Sequence, residues 1–133
     1  MSLNSTLRAG RTRAEAMMQD LFTAYAYEWV KVDGLDKQQW VQQGDPVRGK
    51  LPSSRSGSDA TSARTVTLGG VERPIIEGGL HLPWSASPKV GWEYVLTTPG
   101  PLTHPSAVGR RFRVIEAPLS DHMTAWRLNV VEV

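Results

Sequence analysis

The chain has 133 residues, 40% of them hydrophobic, and its 15 Lys and Arg stand against 13 Asp and Glu, for a net charge of +2. This length predicts a single domain, 1–133, with a modest core, and so small a net charge does not mark a dedicated nucleic-acid binder. The absence of cysteine excludes disulfides, thiolate nucleophiles and Cys-ligated zinc.

Signals for a membrane, for export and for a metal are also missing from the sequence. No apolar run approaches the roughly 20 residues of a membrane span, and the first residues lack the charged-then-apolar pattern of a signal peptide. The three histidines, His81, His104 and His122, have no metal-ligand spacing. We therefore expect a soluble, unprocessed protein with no membrane partner, no metal and no cofactor.

The first predicted element is an amphipathic helix over 5–21, which Ser5 or Thr6 can cap. Its apolar side is formed by residues at helical spacing: Ala14, Met17, Met18 and Leu21. The opposite side carries Arg8 and Arg11 three residues apart, so these cations share one face. This spacing predicts a basic patch, although solvated arginines paired with acidic neighbours give the same pattern.

After the helix, apolar residues alternate with a period of two, and Gly and Pro interrupt the pattern at short intervals. The predicted strands are 25–32, 39–51, 65–68, 73–82, 91–97, 111–117 and 124–133. Many short strands with a single helix predict a mainly β protein: a small β-barrel or sandwich over 25–133, preceded by one N-terminal α-helix.

The segment "SSRSGSDATSAR", residues 53–64, has no large apolar residue and cannot contribute to a core. We predict a long flexible loop carrying Arg55 and Arg64. Loops of this length inside a compact domain are either disordered or functional, and the composition alone does not separate the two.

The C-terminal stretch predicts a hairpin that completes the sheet. In "RRFRVIEAP", Phe112 and Val114 point to one face while Arg111 and Arg113 point to the other. The returning strand, "TAWRLNVVEV", turns inward the side chains of Trp126, Leu128 and Val130.

Catalytic interpretations find little support. Ser120, Asp121 and His122 are consecutive, so they do not face one another as a triad does, and they fit a turn between two strands better. The paired glycines of "TLGG" and "EGGL" belong to neither a dinucleotide-binding fingerprint nor a phosphate loop. We predict that the chain is not an enzyme.

Five tryptophans are many for a chain of this size, and they allow two interpretations. On strands beside arginines they can stack nucleic-acid bases, whereas Trp126 has the alternation of a core position. Trp84 lies next to Pro83 near a predicted loop, and we predict that it anchors a protein contact, because aromatic residues dominate the buried centres of interfaces.

Two stretches carry a resemblance to a known family. "LRAGRTRAEAMM" near the start and "GRRFRVIEAPLSDHMTAWRLNVVEV" at the end resemble the N-terminal helix and C-terminal hairpin of short proteins encoded in actinobacterial siphophages and prophages. On these motifs the chain resembles head-to-tail connector proteins of the stopper, or head-completion, type.

The resemblance implies a structural subunit of the virion neck. It implies a homo-oligomeric ring, six- or twelve-fold with six favoured, between the portal and adaptor on one side and the tail terminator and tail on the other. The ring would surround genomic double-stranded DNA without reading its sequence. Residues 53–64 would project inward to close the channel, with Arg55 and Arg64 meeting phosphates, and Trp84 with Arg8 and Arg11 would form the subunit contact.

Alternatives stay open at this point. A tail terminator is a second possibility within the phage neck. From a different class, an OB-like module that binds single-stranded nucleic acid fits the β pattern, the arginines and the tryptophans. A small hydrolase would require a pocket that brings His81, His104 or His122 to a carboxylate. For the isolated subunit we expect a monomer or weak association, with ring formation on a preassembled partner.

Overall fold

The computed structural model describes residues 3–51, 64–118 and 125–133, and over these ranges the protein is mainly β with one N-terminal helix. The elements in chain order are α1 (Leu3–Ala16), β1 (Asp20–Val32), β2 (Leu35–Gln42), β3 (Val47–Gly49), β4 (Thr65–Leu68), β5 (Val71–Pro74), β6 (Ile76–Pro83), β7 (Glu93–Thr98), a 3-10 turn (Pro105–Ala107), β8 (Arg111–Glu116) and β9 (Ala125–Glu132).

The strands form a sandwich-like arrangement of two sheets. The larger sheet has the order β2-β1-β7-β8-β9-β6, with β3 also paired to β1, and β4 and β5 form a separate two-stranded sheet. All these pairings are antiparallel. A bridge between Lys50 and His81, with two hydrogen bonds of 2.9 Å, connects the end of β3 to β6. Over the described residues the sheets are not closed into a barrel, so the sandwich is the predicted architecture that forms.

The core lies on the inner face of the large sheet, where successive strands contribute alternate residues. Its largest fully buried members are Tyr94, Phe22, Phe112, Leu80, Leu82, Leu96, Leu128, Val114 and Val130. The predicted C-terminal hairpin is confirmed, because β8 pairs with β9 and Val114 lies opposite Val130. A register shift follows Val114, and the neighbouring Val131 is buried as well.

The N-terminal helix predicted over 5–21 forms, but its C-terminal boundary was predicted too late. It ends at Ala16, and β1 already begins at Asp20, so Leu21 belongs to a strand and pairs with both β3 and β7. Of the predicted apolar stripe, Met18 is buried whereas Met17 is 58% exposed. Leu21 and Phe22 pair with β3 on one side and with β7 on the other, so the sheet satisfies their backbone N–H and C=O groups on both edges.

Two predicted strands are each divided in the structure. The stretch 39–51 separates into β2 and β3 at Gly44, whose φ of 70° interrupts the extended backbone. The stretch 73–82 falls across the end of β5 and most of β6, with the buried Ile75 between them. The predicted 65–68 agrees with β4 at both ends. The predicted loop over 53–64 lies outside the described residues except for Arg64.

Candidate interaction surface

The first feature of the surface is an arm formed by the β1–β2 hairpin. β1 pairs with β7 only over Leu21–Tyr25, but it pairs with β2 as far as Val32. We call residues 27–40 the β1–β2 arm. Asp33 and Gly34 at its tip have φ values of 53° and 79°, the pair of positive values that a type I′ turn requires. A two-stranded ribbon is marginally stable in water, so this arm depends on its cross-strand side-chain pairs.

Aromatic side chains cover the outer face of the arm. Tyr27 lies directly opposite Trp40, with ring centroids 5.1 Å apart and a tilt of 34° between the rings. Trp29 is two residues further along the same face and is 68% exposed, while Tyr27 is 53% exposed. Such a cluster on a projecting ribbon is typical of a contact surface, because soluble proteins rarely leave large aromatic groups together in water.

A buried carboxylate organises the same face where it meets the body of the sheet. Glu93 of β7 is 2% exposed and lies between Tyr25 of β1 and Arg113 of β8 in the register of the sheet. Its Oε1 accepts a hydrogen bond from Arg111 Nη1 at 2.8 Å, and its Oε2 accepts from Arg113 Nε at 2.8 Å. One buried negative charge is thereby compensated by two guanidinium groups, as a desolvated carboxylate requires.

Both arginines also lie over aromatic rings. The Arg113 guanidinium is 5.4 Å from the ring centroid of Trp40, and that of Arg111 is 5.4 Å from Tyr25. Guanidinium groups stacked in this way are attracted by the ring quadrupole and lose side-chain freedom. The ion-pair cluster therefore holds the root of the arm rigidly against β7 and β8.

An open cleft lies between the arm and the sheet. Its volume is about 400 Å³, and it is lined by Tyr27, Trp40, Gly91 and Arg113. We call it the aromatic cleft. Arg113 is ion-paired with Glu93, a carboxylate that it shares with Arg111, so the cleft combines two aromatic rings with a guanidinium that already has a partner.

A second exposed feature lies at the opposite end of β1 and β7. Leu102 is 95% exposed on a segment that follows β7, which we call the Leu102 loop, residues 99–104. The loop is attached to the start of β1, because the Gly100 N–H donates to Oδ1 of the buried Asp20 at 2.6 Å. Pro99, Pro101 and this hydrogen bond restrict the loop, so the leucine is presented on a defined backbone.

Comparison with known proteins adds one finding. The model of a family of unknown function, DUF6093, matches residues 10–131, which is nearly the whole chain. The chain belongs to DUF6093. No curated protein and no solved structure matches it. The matched range includes the β1–β2 arm, the aromatic cleft and the Leu102 loop, so these features lie within the DUF6093 domain itself.

In this DUF6093 chain, two of the three predicted interface residues lie in contact. The Arg11 guanidinium lies 3.7 Å from the centre of the Trp84 ring, and Trp84 is 44% exposed. The indole N–H of Trp126 donates to the Trp84 carbonyl at 3.2 Å, which attaches this residue to β9. Arg8 is exposed on α1. The Arg11–Trp84 pair thus joins α1 to the sheet, and the exposed half of the indole stays free for a further contact.

The two arginines predicted to contact DNA are Arg55 and Arg64. Arg55 lies outside the described residues. Arg64 pairs with Glu77 at 3.0 Å and with Glu116 at 2.5 Å. Hydrogen bonds, first with Glu116 and then with Glu77, raise the pKa of Arg64, and the bond from Arg64 lowers the pKa of Glu116. Its charge is compensated within the fold, so the proposed contact of Arg64 with phosphate would have to displace these partners; it stays a prediction.

The hydrolase alternative requires a histidine beside a carboxylate. Burial, and then the charges of Arg127 and Lys50, lower the pKa of His81, so its charged neighbours are cations rather than a carboxylate base partner. His104 caps the 3-10 turn by accepting from the Ser106 N–H at 3.1 Å. The stretch 120–122, with the third histidine, lies outside the described residues. Among the residues that the structure describes, no cluster of His, Asp and Glu could hold a metal ion.

The sequence alone did not lead to two residues of these surfaces, the buried Glu93 and the exposed Leu102. Glu93 follows Trp92 in an ordinary strand pattern, and a single acid on a strand gives no sign of burial. Leu102 between Pro101 and Thr103 was a detectable signal, since a large apolar residue in a proline-rich turn has no core to enter. None of the helices in the described ranges has the length and apolar character to span a membrane.

Proposed function

We propose that this DUF6093 chain is a noncatalytic structural component of a tailed-phage neck. It acts as a head-to-tail stopper, a subunit of a ring between portal and adaptor on one side and tail on the other, around the DNA channel. The two motifs quoted above support this proposal through their resemblance to connector proteins. The structural observation that carries it is the β1–β2 arm, whose exposed aromatic face projects beyond the sandwich.

The arm supports an assembly role for a physical reason. Trp29 at 68% exposure and Tyr27 at 53% exposure leave apolar surface in water that a neighbouring protein would cover. Aromatic residues on a rigid scaffold are the groups that contribute most to protein–protein binding. A subunit with a small core and large exposed anchors gains stability from its neighbours, which agrees with a ring that forms on a preassembled partner.

Imaging of virions tests the proposal most directly. Cryo-electron microscopy of particles whose genome encodes this chain should show it as a ring between the portal-adaptor complex and the tail, with six-fold symmetry favoured. A nonsense mutation in its gene should yield DNA-filled heads that lose DNA and fail to join tails. Absence of the chain from purified virions would reject the proposal, and free tails of aberrant length would favour the tail terminator instead.

A single-strand nucleic-acid module is the second candidate, and one observation favours it. Trp29 and Tyr27 are exposed on the face that also carries Arg111 and Arg113, the combination found on base-stacking platforms. Glu93 weakens this candidate, because it holds both guanidinium groups in ion pairs and offsets one of their two positive charges. Binding of single strands by the isolated chain, weakening with salt and lost in Trp29→Ala, would establish it.

A further inference from the structure

The two exposed features of the large sheet are complementary in shape. Leu102 is a protruding apolar side chain, 95% exposed on a restrained loop. The aromatic cleft is an open concavity of about 400 Å³ with two rings in its wall, which can receive an aliphatic side chain. A protruding apolar group and a lined apolar concavity are what a specific protein contact requires from its two sides.

The two features cannot meet within one molecule, because they lie at opposite ends of the same pair of strands. The Leu102 loop follows the end of β7 and is attached to Asp20 at the start of β1. The cleft is formed by Tyr27, beyond the last β1–β7 pair, and by Gly91, before β7 begins. Six residues of extended strand separate Leu21 from Tyr27, which is roughly 20 Å.

The charges on the two sides do not oppose a contact between them. Residues 97–106 contain no Asp, Glu, Lys or Arg, so this loop has no formal charge to desolvate. In the cleft, Arg113 is ion-paired with Glu93 at 2.6 Å, and Arg111 shares the same carboxylate, so the cluster keeps one net positive charge. Contact between the two surfaces therefore buries apolar groups, brings no second charge into the cleft and leaves the Arg113–Glu93 ion pair in place.

We propose that Leu102 of one copy inserts into the aromatic cleft of a second copy of this chain. The contact is heterologous, since it joins two different patches, and repetition of such a contact yields a closed ring when the rotation permits. This inference rests on the proposed function in one respect, because it names the subunit contact of the ring. It identifies Leu102 and the Tyr27–Trp40 pair as the two halves of that contact.

Cross-linking tests the inference. Because the chain has no native cysteine, a maleimide reacts with the introduced cysteines alone. Thr103→Cys is adjacent in sequence to the protruding leucine, and Val90→Cys, at a residue 65% exposed, is adjacent in sequence to Gly91, which lines the cleft. Both substitutions leave the proposed contact residues in place. The concentrated, purified double variant is treated with a short bis-maleimide and resolved on a denaturing gel. A ladder of dimers, trimers and longer species is expected.

Three controls define the direction of the contact. Mixing the two single variants should give dimers only, because each chain then carries one reactive end. Pairing Val90→Cys with Val71→Cys, at a residue 52% exposed on the β4–β5 hairpin, should give no ladder. Adding Leu102→Asp to the double variant should lower the yield of the ladder about tenfold or more, without changing the thermal unfolding of a chain in which this residue is exposed.

Each other result overturns the inference. A ladder that survives Leu102→Asp, or that the Val71→Cys control also gives, means that the contact is elsewhere. Dimers formed by Thr103→Cys alone indicate a two-fold contact. Absence of a ladder, with quenching of tryptophan fluorescence by oligo(dT), assigns the aromatic face to nucleic acid. A ring seen in virion necks without this ladder would reject the inference and leave the proposed function standing.

Discussion

Glu93 and Arg113 form an ion pair on the outer face of the large sheet, in which Oε2 of the carboxylate accepts a hydrogen bond from Nε at 2.8 Å and lies 2.6 Å from Nη2. Glu93 is 2% exposed, whereas the side chain of Arg113 is 30% exposed. The carboxylate is thus the buried member, and the arginine reaches from it to the surface.

Replacement of the carboxylate should destabilise the fold. Glu93→Gln keeps the shape of the side chain but leaves Arg111 and Arg113 without their counterion. We expect a loss of about 2 kcal/mol in the free energy of unfolding, below the value for fully buried pairs because both arginines are partly exposed. Urea denaturation measures it, and Glu15→Gln on the exposed face of α1 serves as the control, with a change under about 0.5 kcal/mol. Equal effects of the two substitutions would show that the cluster is not structural.

The stability of the protein should fall as the solution becomes mildly acidic. Burial lowers the pKa of His81 from its ordinary value of 6.5, and Arg127 and Lys50 lower it further. Between that lowered pKa and 6.5, the unfolded chain binds a proton that the native imidazole does not. The contribution of the neutral His81 side chain to the free energy of unfolding is therefore complete above pH 6.5 and is lost as the pH falls. Urea denaturation of wild type at decreasing pH below 6.5 should show this loss.

His81→Gln provides the matched control for the pH dependence. The variant has no imidazole to titrate, so its stability should vary less over the same range. The carboxyl groups with lowered pKa, Glu116 and Glu132, act near and below their ordinary value of 4.5 and leave this window undisturbed. An identical pH dependence in wild type and variant would assign the effect to other groups.

Removal of the Trp84 ring should loosen α1. Arg11 stacks on this ring at 3.7 Å, and an exposed contact of this kind contributes about 0.5–1 kcal/mol. In Trp84→Ala we expect faster hydrogen exchange of the α1 amides, with little change in β7 and β8 because the core is not altered. Arg8→Ala, on the exposed side of the helix, should leave exchange unchanged. Uniform acceleration across the sheet would contradict a local role.

A methyl group at residue 100 should disturb the Leu102 loop. A Cβ on Gly100 would lie 2.7 Å from Cβ and 2.8 Å from the carbonyl oxygen of Gln19, so the chain must shift. Gly100→Ala should cost about 1–3 kcal/mol and weaken the hydrogen bond to Asp20. Pro101→Ala, an exposed neighbour, is the control, and thermal unfolding compares the two variants. A variant as stable as wild type would mean that the loop is not held by this contact.

Truncation of Trp92 and of Trp29 should affect the stability of the protein differently. Trp92 is half-buried and packs against the core, so Trp92→Ala should cost about 3 kcal/mol. Trp29→Ala removes an exposed side chain and should change stability by less than about 0.5 kcal/mol while it weakens assembly. Urea denaturation and sedimentation measure the two effects. Strong destabilisation by Trp29→Ala would show that the indole supports the monomer rather than a contact.

The sequence was sufficient where the period of the apolar residues is strict. The inward positions of Phe112 and Val114 and the outward positions of Arg111 and Arg113 follow from alternation, and the turn-forming stretch between the two strands indicates that β8 pairs with β9. It was insufficient at the junction of α1 and β1, where Met17, Met18 and Leu21 satisfy a helical period by coincidence. Only the presence of β3 and β7 on either side makes the strand the better state for Leu21.

The amino-acid sequence by itself determined the class of the protein: one helix, many short strands and no cysteine, because these depend on local composition and periodicity. The tertiary structure decided the open sandwich, the burial of Glu93 beneath two arginines, and the separation of the aromatic cleft from Leu102. These features arise from residues far apart in the chain, and their relation depends on strand order and register, which alternation within a single strand does not specify.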